Sequence, residues 1–281
     1  MTSSLSLFQN KTALILGGGN GIGRAIAEEF ARRGAALAVA DIDEAGAATT
    51  AAHIEANGGK SCSFQCDVTC NDSLHRTFSR AEQTLGEIDI VVNNVGVIIS
   101  GNPEDIPLSE WQRVVNLNLM PVVRSNEIIL PKMIARGGGY IVNTASFSGL
   151  YPYASNRIPY AASKAGVVAL TESLALYLLP KGIQISCFCP GPVMTGVMQG
   201  MKSWSDNAIM SGPGAQFELI SAEQAGTILA DGMEEKRIFI PTHASVLEEM
   251  QRHAADPDAY IRQKIEAIAS GNLGLPAKPS L

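Results

Sequence analysis

Charge is scarce in this 281-residue chain: Asp, Glu, Lys and Arg make up 17% of it, and 21 basic side chains face 27 acidic ones. The net charge of -6 leaves no basic stripe for a phosphate backbone, so no nucleic-acid partner is expected. No continuous run of about 18 apolar residues occurs, so no membrane span or membrane partner is expected. Met1–Asn10 lacks a basic n-region and a long apolar stretch, so no secretory signal is expected there. Aromatic residues are few, at 6%, yet 46% of the chain is hydrophobic, which excludes a disordered polymer. The five cysteines are an odd number in a chain long enough to bury a large core without staples, so reduced thiols in a cytoplasm are expected. Cys62, Cys66 and Cys70 are evenly spaced, but the segment reads as a strand. That spacing separates same-face side chains by about 13 Å, so no metal site is expected. Internal repeats and low-complexity linkers are also missing, which argues for one domain over residues 1–281.

What the chain does have is an alternation of short apolar runs and helical periodicity. Strands are predicted at Thr12–Leu16, Leu37–Ala40, Ser61–Gln65, Ile88–Val92, Gly139–Asn143, Ile183–Phe188 and Arg237–Ile240. Between them lie predicted helices at Ile22–Arg33, Glu44–Ala56, Ser73–Leu85, Ser109–Arg136, Ile158–Lys181 and Ala222–Glu234. Parallel strands need crossover connections, so the order implies an α/β fold: a doubly wound, seven-stranded parallel sheet with helices on both faces. Pro190–Phe217 is too long and irregular for an ordinary connection, which marks residues 196–220 as a functional covering loop. Residues 244–281 form an extension with one amphipathic helical stretch and a loose end.

The 27 glycines cluster. After the first strand comes Gly17-Gly-Gly-Asn-Gly21-Ile-Gly23, spaced Gly-x-x-x-Gly-x-Gly rather than GxGxxG. Gly17 turns the chain off the strand, Gly21 admits a pyrophosphate and Gly23 lets the helix pack closely on the strand. The helix N-terminus then offers N–H groups and partial positive charge to phosphates. Asp41 ends the second strand, where a carboxylate holds adenosine ribose hydroxyls. A 2′-phosphate there would face like charge, on the order of 4 kcal/mol per unit-charge pair at about 4 Å. No Arg or Lys follows Asp41 directly, and Asn20 is neutral. NAD (NAD+/NADH) is therefore expected over NADP.

Tyr160-Ala-Ala-Ser-Lys164 opens a helix and places Tyr160 and Lys164 on one face. A free tyrosine is about one part in a thousand phenolate at pH 7, and a neighbouring ammonium favours the phenolate. The pair is a candidate general acid/base. Ser146 follows the Gly139–Asn143 strand, where a hydroxyl can donate to a carbonyl oxygen; Ser148 competes for that role. No His or acid stands near Ser146 in sequence, and GxSxG is absent, so a hydrolase triad is not indicated.

Together these motifs resemble the short-chain dehydrogenase/reductase family over about residues 10–240. They are Gly17-x-x-x-Gly21-Ile-Gly23, Asp67-Val68, Asn93-Asn94-Val-Gly96, Asn118, Ser146, Tyr160/Lys164 and Pro190-Gly191-x-Val193-x-Thr195. The resemblance implies a Rossmann-like fold and a tetrad of Asn118, Ser146, Tyr160 and Lys164. Tyr160 would exchange the proton and Ser146 would orient the substrate oxygen. Lys164 would bind the nicotinamide ribose and lower the Tyr160 pKa, and Asn118 would hold a relay water. Asp67 and Val68 would meet adenine. Asn94 and Gly96 would line the adenosine ribose side, and Ile22, Val193 and Thr195 would contact the cofactor. Asn93 is expected to tie adjacent strands.

Three departures stand out. Leu16 replaces the usual Thr before the glycines, Val95 replaces an Ala, and Pro121 should kink the long helix just after Asn118. The tail looks like that of the branch acting on aryl and benzylic secondary alcohols. Val197, Met198, Met201, Trp204, Ile209, Met210 and Phe217, with Leu150–Tyr153, suggest a bulky apolar alcohol/ketone substrate. His243 and His253 are expected at the surface or an interface. Homo-oligomers, dimer or tetramer, are expected through the helices predicted at Ser109–Arg136 and Ile158–Lys181. The competing readings are a catalytically silent NAD-binding regulatory protein and an NADP-linked acyl-carrier ketoreductase.

Overall fold

The structure, a computed structural model, describes residues 6–196 and 201–276. Its first strand, β1 (Thr12–Leu16), is buried along its whole length, as a strand covered on both faces must be. Helix α1 (Gly21–Arg32) follows and presents Gly23, Ile26, Ala27 and Phe30 to the sheet at i, i+3, i+4 and i+7. The alternation continues through β2 (Ala36–Asp41), α2 (Glu44–Ala56), β3 (Lys60–Gln65), α3 (Asn71–Leu85) and β4 (Ile90–Asn93). After the short β5 (Ile99–Ser100) come α4 (Leu108–Asn118), α5 (Met120–Arg136), β6 (Gly139–Thr144), α6 (Ile158–Leu178) and β7 (Ile183–Cys189). The chain ends with β8 (Val193–Met194), β9 (Lys202–Ser203), β10 (Ile220–Ser221), α7 (Ala222–Glu234), β11 (Phe239–Pro241), α8 (Val246–Ala255) and α9 (Pro257–Ala269).

Seven strands form one parallel sheet in the order β3-β2-β1-β4-β6-β7-β11. The strand order reverses between β1 and β4, which opens a crevice beyond their C-terminal ends. Alternate residues of the strands feed two cores. Ile15, Val39, Val92 and Val142 pack with Phe30 and Leu229 on the α1/α7 side. Leu14, Leu16, Val91 and Ile141 pack with Phe78, Ile129 and Leu178 on the other. Asn93 donates to Asn143 across the β4–β6 pair at 2.8 Å, the strand tie expected of it.

The helix predicted at Ser109–Arg136 is two helices that break at Leu119. Pro121 has no N–H for the carbonyl four residues back, so it ends one ladder and is accepted near the start of the next. The extension holds two helices rather than one. Asp256 caps α9 by accepting from the Ala259 N–H at 2.9 Å, and Pro257 follows at a position where a helix tolerates proline. Two further parallel pairs, β8–β10 and β5–β9, stitch the region after β7 to the body. No unbroken apolar run of membrane-spanning length occurs in the sequence, yet the helical stretch Ile158–Lys181 is long and apolar enough by composition to cross a membrane. Its Tyr160, Ser163, Lys164, Val167 and Thr171 are buried within this fold.

Candidate active site

A cleft of about 540 Å³ lies at the strand-order reversal, a volume usual for ligand sites. Of the residues singled out for cofactor or catalysis, all but Gly23 and Asn118 line it. At its floor the chain turns off β1 through Gly17, whose φ of 83° disfavours other residues. Gly17 and Gly18 both donate to the Ala40 carbonyl, at 2.8 and 3.1 Å, which ties the turn to β2. Gly23 stands behind the turn: a Cβ there would lie 1.8 Å from the Gly17 oxygen. That contact permits the close strand–helix packing and points the start of α1, Gly21 and Ile22, into the cleft. A Cβ on Gly21 would meet only Thr195, at 3.6 Å, so its backbone is open to a ligand.

One end of the cleft is acidic. Asp41 accepts from the Gly19 N–H at 2.9 Å and the Asp43 N–H at 3.0 Å, one bond on each oxygen. Asp67 accepts from both the N–H and the hydroxyl of Thr69, at 2.8 and 2.7 Å. Asn94 donates to the Gly17 carbonyl at 3.1 Å. Gly96 sits elsewhere than expected. A Cβ on it would lie 3.1 Å from Lys164 Nζ and 3.6 Å from Asn118 Oδ1, so it belongs to the Lys164 end, not the adenosine side.

The other end brings Ser146, Tyr160 and Lys164 to one wall. The Lys164 Nζ lies 5.9 Å from the Tyr160 ring centre and donates to the Thr144 carbonyl at 2.7 Å. Ser148, the rival of Ser146, is paired with the Tyr153 hydroxyl at 2.5 Å and donates its backbone N–H to Ser146 Oγ at 3.2 Å. Asn118 stands behind the wall. Its amide accepts from the Val97 N–H at 2.8 Å and donates to the Val97 carbonyl and Ser163 Oγ, both at 3.0 Å. It braces the loop after β4 against α6. Burial pushes the Tyr160 phenol up to about 12, opposed by its hydrogen bond with Ser146. Burial also pulls the Lys164 ammonium down to about 8. The chain by itself therefore raises the tyrosine pKa, because a low-dielectric wall penalises phenolate and ammonium alike.

The substrate end departs most from expectation. Val197 and Met198 lie outside the described residues. Of the other loop side chains named for the substrate, Met210 lines the cleft, joined by Ser211, Gly212, Pro213 and Leu219. Trp204 packs with Ile99, Ile106 and Val114. Phe217 is buried edge-on against Phe147 at 5.2 Å, and Ile209 is exposed. Tyr153 lines the cleft, whereas Tyr151 is core and its hydroxyl donates to the Pro213 carbonyl at 3.1 Å. His243 is half-buried: its ring nitrogens meet Thr242 Oγ1 at 2.9 Å and the Glu218 carbonyl at 2.8 Å, clamping the covering region. His253 packs against Tyr260 between α8 and α9, with ring centres 5.4 Å apart. The sequence reading missed Arg157, Leu275 and Pro276, all in the cleft wall. The Gly212 and Gly214 N–H groups donate to the carbonyls of Leu273 and Gly274, at 2.8 and 2.9 Å, which draws the extension over the site. Only Arg157 carried a local signal, lying three residues before Tyr160.

The cleft fits a dinucleotide. Its ends hold carboxylates for ribose hydroxyls and a proton-handling group, and between them lie a helix start and glycines whose absent side chains leave room. The raised Tyr160 and lowered Lys164 also make stability pH-dependent. Lys164 ordinarily titrates near 10.5 and is held at about 8, so between those values the unfolded chain binds more protons there. Stability contributed by this group therefore rises with pH across that window; Tyr160 works the other way, between its ordinary 10 and about 12. Urea unfolding at about pH 7.5 and about pH 9.5 should show wild type gaining stability relative to Lys164→Met at the higher pH. An unchanged difference would mean that Lys164 is not held as a neutral-leaning amine.

The sequence profile described as short chain dehydrogenase matches residues 11–206. The chain is 34% identical over 189 residues to ketoacyl reductase HetN of Nostoc sp. strain PCC 7120, covering 67% of this chain and 66% of that protein. It is 36% identical over 189 residues to cyclohexanol dehydrogenase of Acinetobacter sp. strain SE19, covering 67% of this chain and 75% of that one. The chain thus spans just under two thirds of the first relative and three quarters of the second. A crystal structure of a short chain dehydrogenase/reductase from Burkholderia phymatum in complex with NAD aligns with a TM-score of 0.79 at 28% identity. That alignment covers 90% of this chain and 95% of the other. The sheet order, the cleft and these matches agree: the chain belongs to the short-chain dehydrogenase family of nicotinamide-binding oxidoreductases.

Proposed function

We propose that the chain is an NAD(H)-dependent oxidoreductase that interconverts a secondary alcohol and a ketone, with Tyr160 as general acid/base. The observation that carries this reading is the convergence of Ser146, Tyr160 and Lys164 on one wall of the cleft that the glycine turn opens. A bound nicotinamide supplies or accepts the hydride. Ser146 orients the reacting oxygen. Tyr160, kept protonated by burial, donates to that oxygen as it gains charge during reduction. In the oxidative direction Tyr160 must first give up its proton, and Lys164 one helical turn on favours the phenolate whenever it carries its charge. Gly17, Asn20, Gly21, Ile22, Val193 and Thr195 hold the pyrophosphate and nicotinamide, and Asp67, Val68 and Asn94 the adenosine.

NAD is preferred because Asp41, already fixed by two backbone N–H groups, keeps acceptor capacity for ribose hydroxyls and repels a 2′-phosphate. The apolar wall formed by Val97, Ile98, Met210, Pro213 and Leu219 suits a bulky or aromatic substrate. All five cysteines are unpaired, which fits a reducing cytoplasm. Exposed Leu108, Val123, Leu176 and Tyr177 on α4, α5 and α6 form the face for a second copy of the chain.

NAD reduction across aliphatic, steroidal and aryl secondary alcohols tests the reading. Tyr160→Phe should lower kcat by about 10²–10⁴ while NADH binding stays within about a few-fold. Near-normal turnover in that variant would refute the acid/base role, and cofactor binding without turnover of any alcohol would favour the regulatory alternative. Asp41→Ala should erode the NAD/NADP ratio of kcat/KM. A wild type that prefers NADP would favour the acyl-carrier ketoreductase instead. Light scattering should give a dimer or tetramer; a monomer at micromolar concentration would remove the proposed face.

A further inference from the structure

Two arginines of this chain are nearly buried, and the protein treats them differently. Arg33, with 11% of its side chain exposed, is neutralised by Glu29, Asp231 and Glu234 at 2.5–3.1 Å. Arg157 is 9% exposed and has no ion pair among the described residues. One Nη2 hydrogen goes to the Ser211 carbonyl, and the guanidinium lies over the Tyr153 ring at 5.6 Å. Its Nε–H is buried and has no hydrogen-bond partner among the described residues. Removing a guanidinium from water costs several kcal/mol unless an anion compensates, so a buried cation without one is rare.

The position of this cation says what the missing anion is. Arg157 lines the cleft beside Ser146, Ser148 and Met210, three residues before Tyr160. Among the described residues, the carboxylates that line the same cleft are Asp41 and Asp67, which stand at the adenosine end and are held there by backbone N–H groups. The neutral, largely apolar surroundings of Arg157 leave its field unscreened where a substrate sits. We infer that Arg157 is a substrate-recognition residue and that the substrate carries a carboxylate, paired with the guanidinium while its carbinol or keto carbon faces Tyr160. An apolar, aryl-sized body joining the two groups accounts for both the apolar wall and the guanidinium set in it. Tyr153 stacks on the guanidinium and Ser211 holds one of its arms, so the fork is set before the substrate arrives.

This inference rests on the reading of the cleft as an alcohol/ketone site, and a binding experiment separates the two. Isothermal titration on the NADH-saturated protein would use 4-acetylbenzoate and 3-acetylbenzoate, each against its methyl ester. The ester keeps the ketone and the shape and removes the charge. Wild type should bind at least one carboxylate about 10-fold or more tighter than its ester. Arg157→Gln should abolish that ratio and Arg157→Lys should retain part of it. Thermal unfolding of both variants reports whether the fold is kept. Equal binding of acid and ester, a ratio that survives in a folded Arg157→Gln, or no binding of any probe at millimolar concentration overturns the inference. A charge preference without NADH oxidation by any ketone would leave Arg157 in place and remove the reductase reading instead.

Discussion

The carbonyl of Gly17 is the point on which the site depends. Strand β1 ends there, Asn94 from the end of β4 donates to it, and Gly23 of α1 packs so closely that any side chain would overlap it. Three elements on either side of the strand-order reversal thus meet at one oxygen. Nothing larger than hydrogen at residue 23 lets α1 approach, and without that approach its first N–H groups would not face the crevice. Val95 adds to the constraint. Its side chain stands 2.9 Å from where a Cβ of Gly17 would be, so the turn is closed from both sides.

Burial sets the chemistry at the other end. Tyr160 and Lys164 share a buried wall, and each is pushed toward its neutral form, to about 12 and about 8. Desolvation outweighs the neighbouring charges at both groups, as a low-dielectric wall requires. Their positions are secured by the Thr144 carbonyl for Lys164 and by the Asn118 brace that ties Val97 to Ser163. The same wall carries Arg157, a buried guanidinium with no carboxylate partner among the described residues, so its polarity is sharply localised.

The last stretch of chain is built into this arrangement. Glu249 on α8 accepts from Tyr260 at 2.6 Å, Arg252 at 2.8 Å and Gln216 at 3.1 Å, which joins the two extension helices to the covering region. Burial pushes the Glu249 carboxyl up, but the Tyr260 hydrogen bond and the two cations outweigh it and hold it below the usual range. From that anchor the chain runs on until Leu275 and Pro276 reach the cleft. The extension therefore lines the same cleft as Tyr160 and Arg157.

Much of this was legible in the sequence because it is local. Short apolar runs located the strands and 3.6-residue periodicity the helices, glycine spacing located the turn, and a spacing of four located Tyr160 and Lys164. Each is determined within a few residues by backbone sterics and by which face must be dry. Even the break after Asn118 follows from one proline. What the sequence left open arises from contacts between distant segments. Gly96 belongs to Lys164 rather than to the adenosine because β4 and α6 converge there. Trp204 packs on α4 and Phe217 became core while Ser211–Pro213 became wall, because the covering region folds onto α4 and the extension. Arg157 is unremarkable in sequence, one basic residue before a helix. Only the tertiary fold decided that it would be buried, unpaired and turned toward the cleft, because whether a charge is compensated depends on every chain segment packed around it.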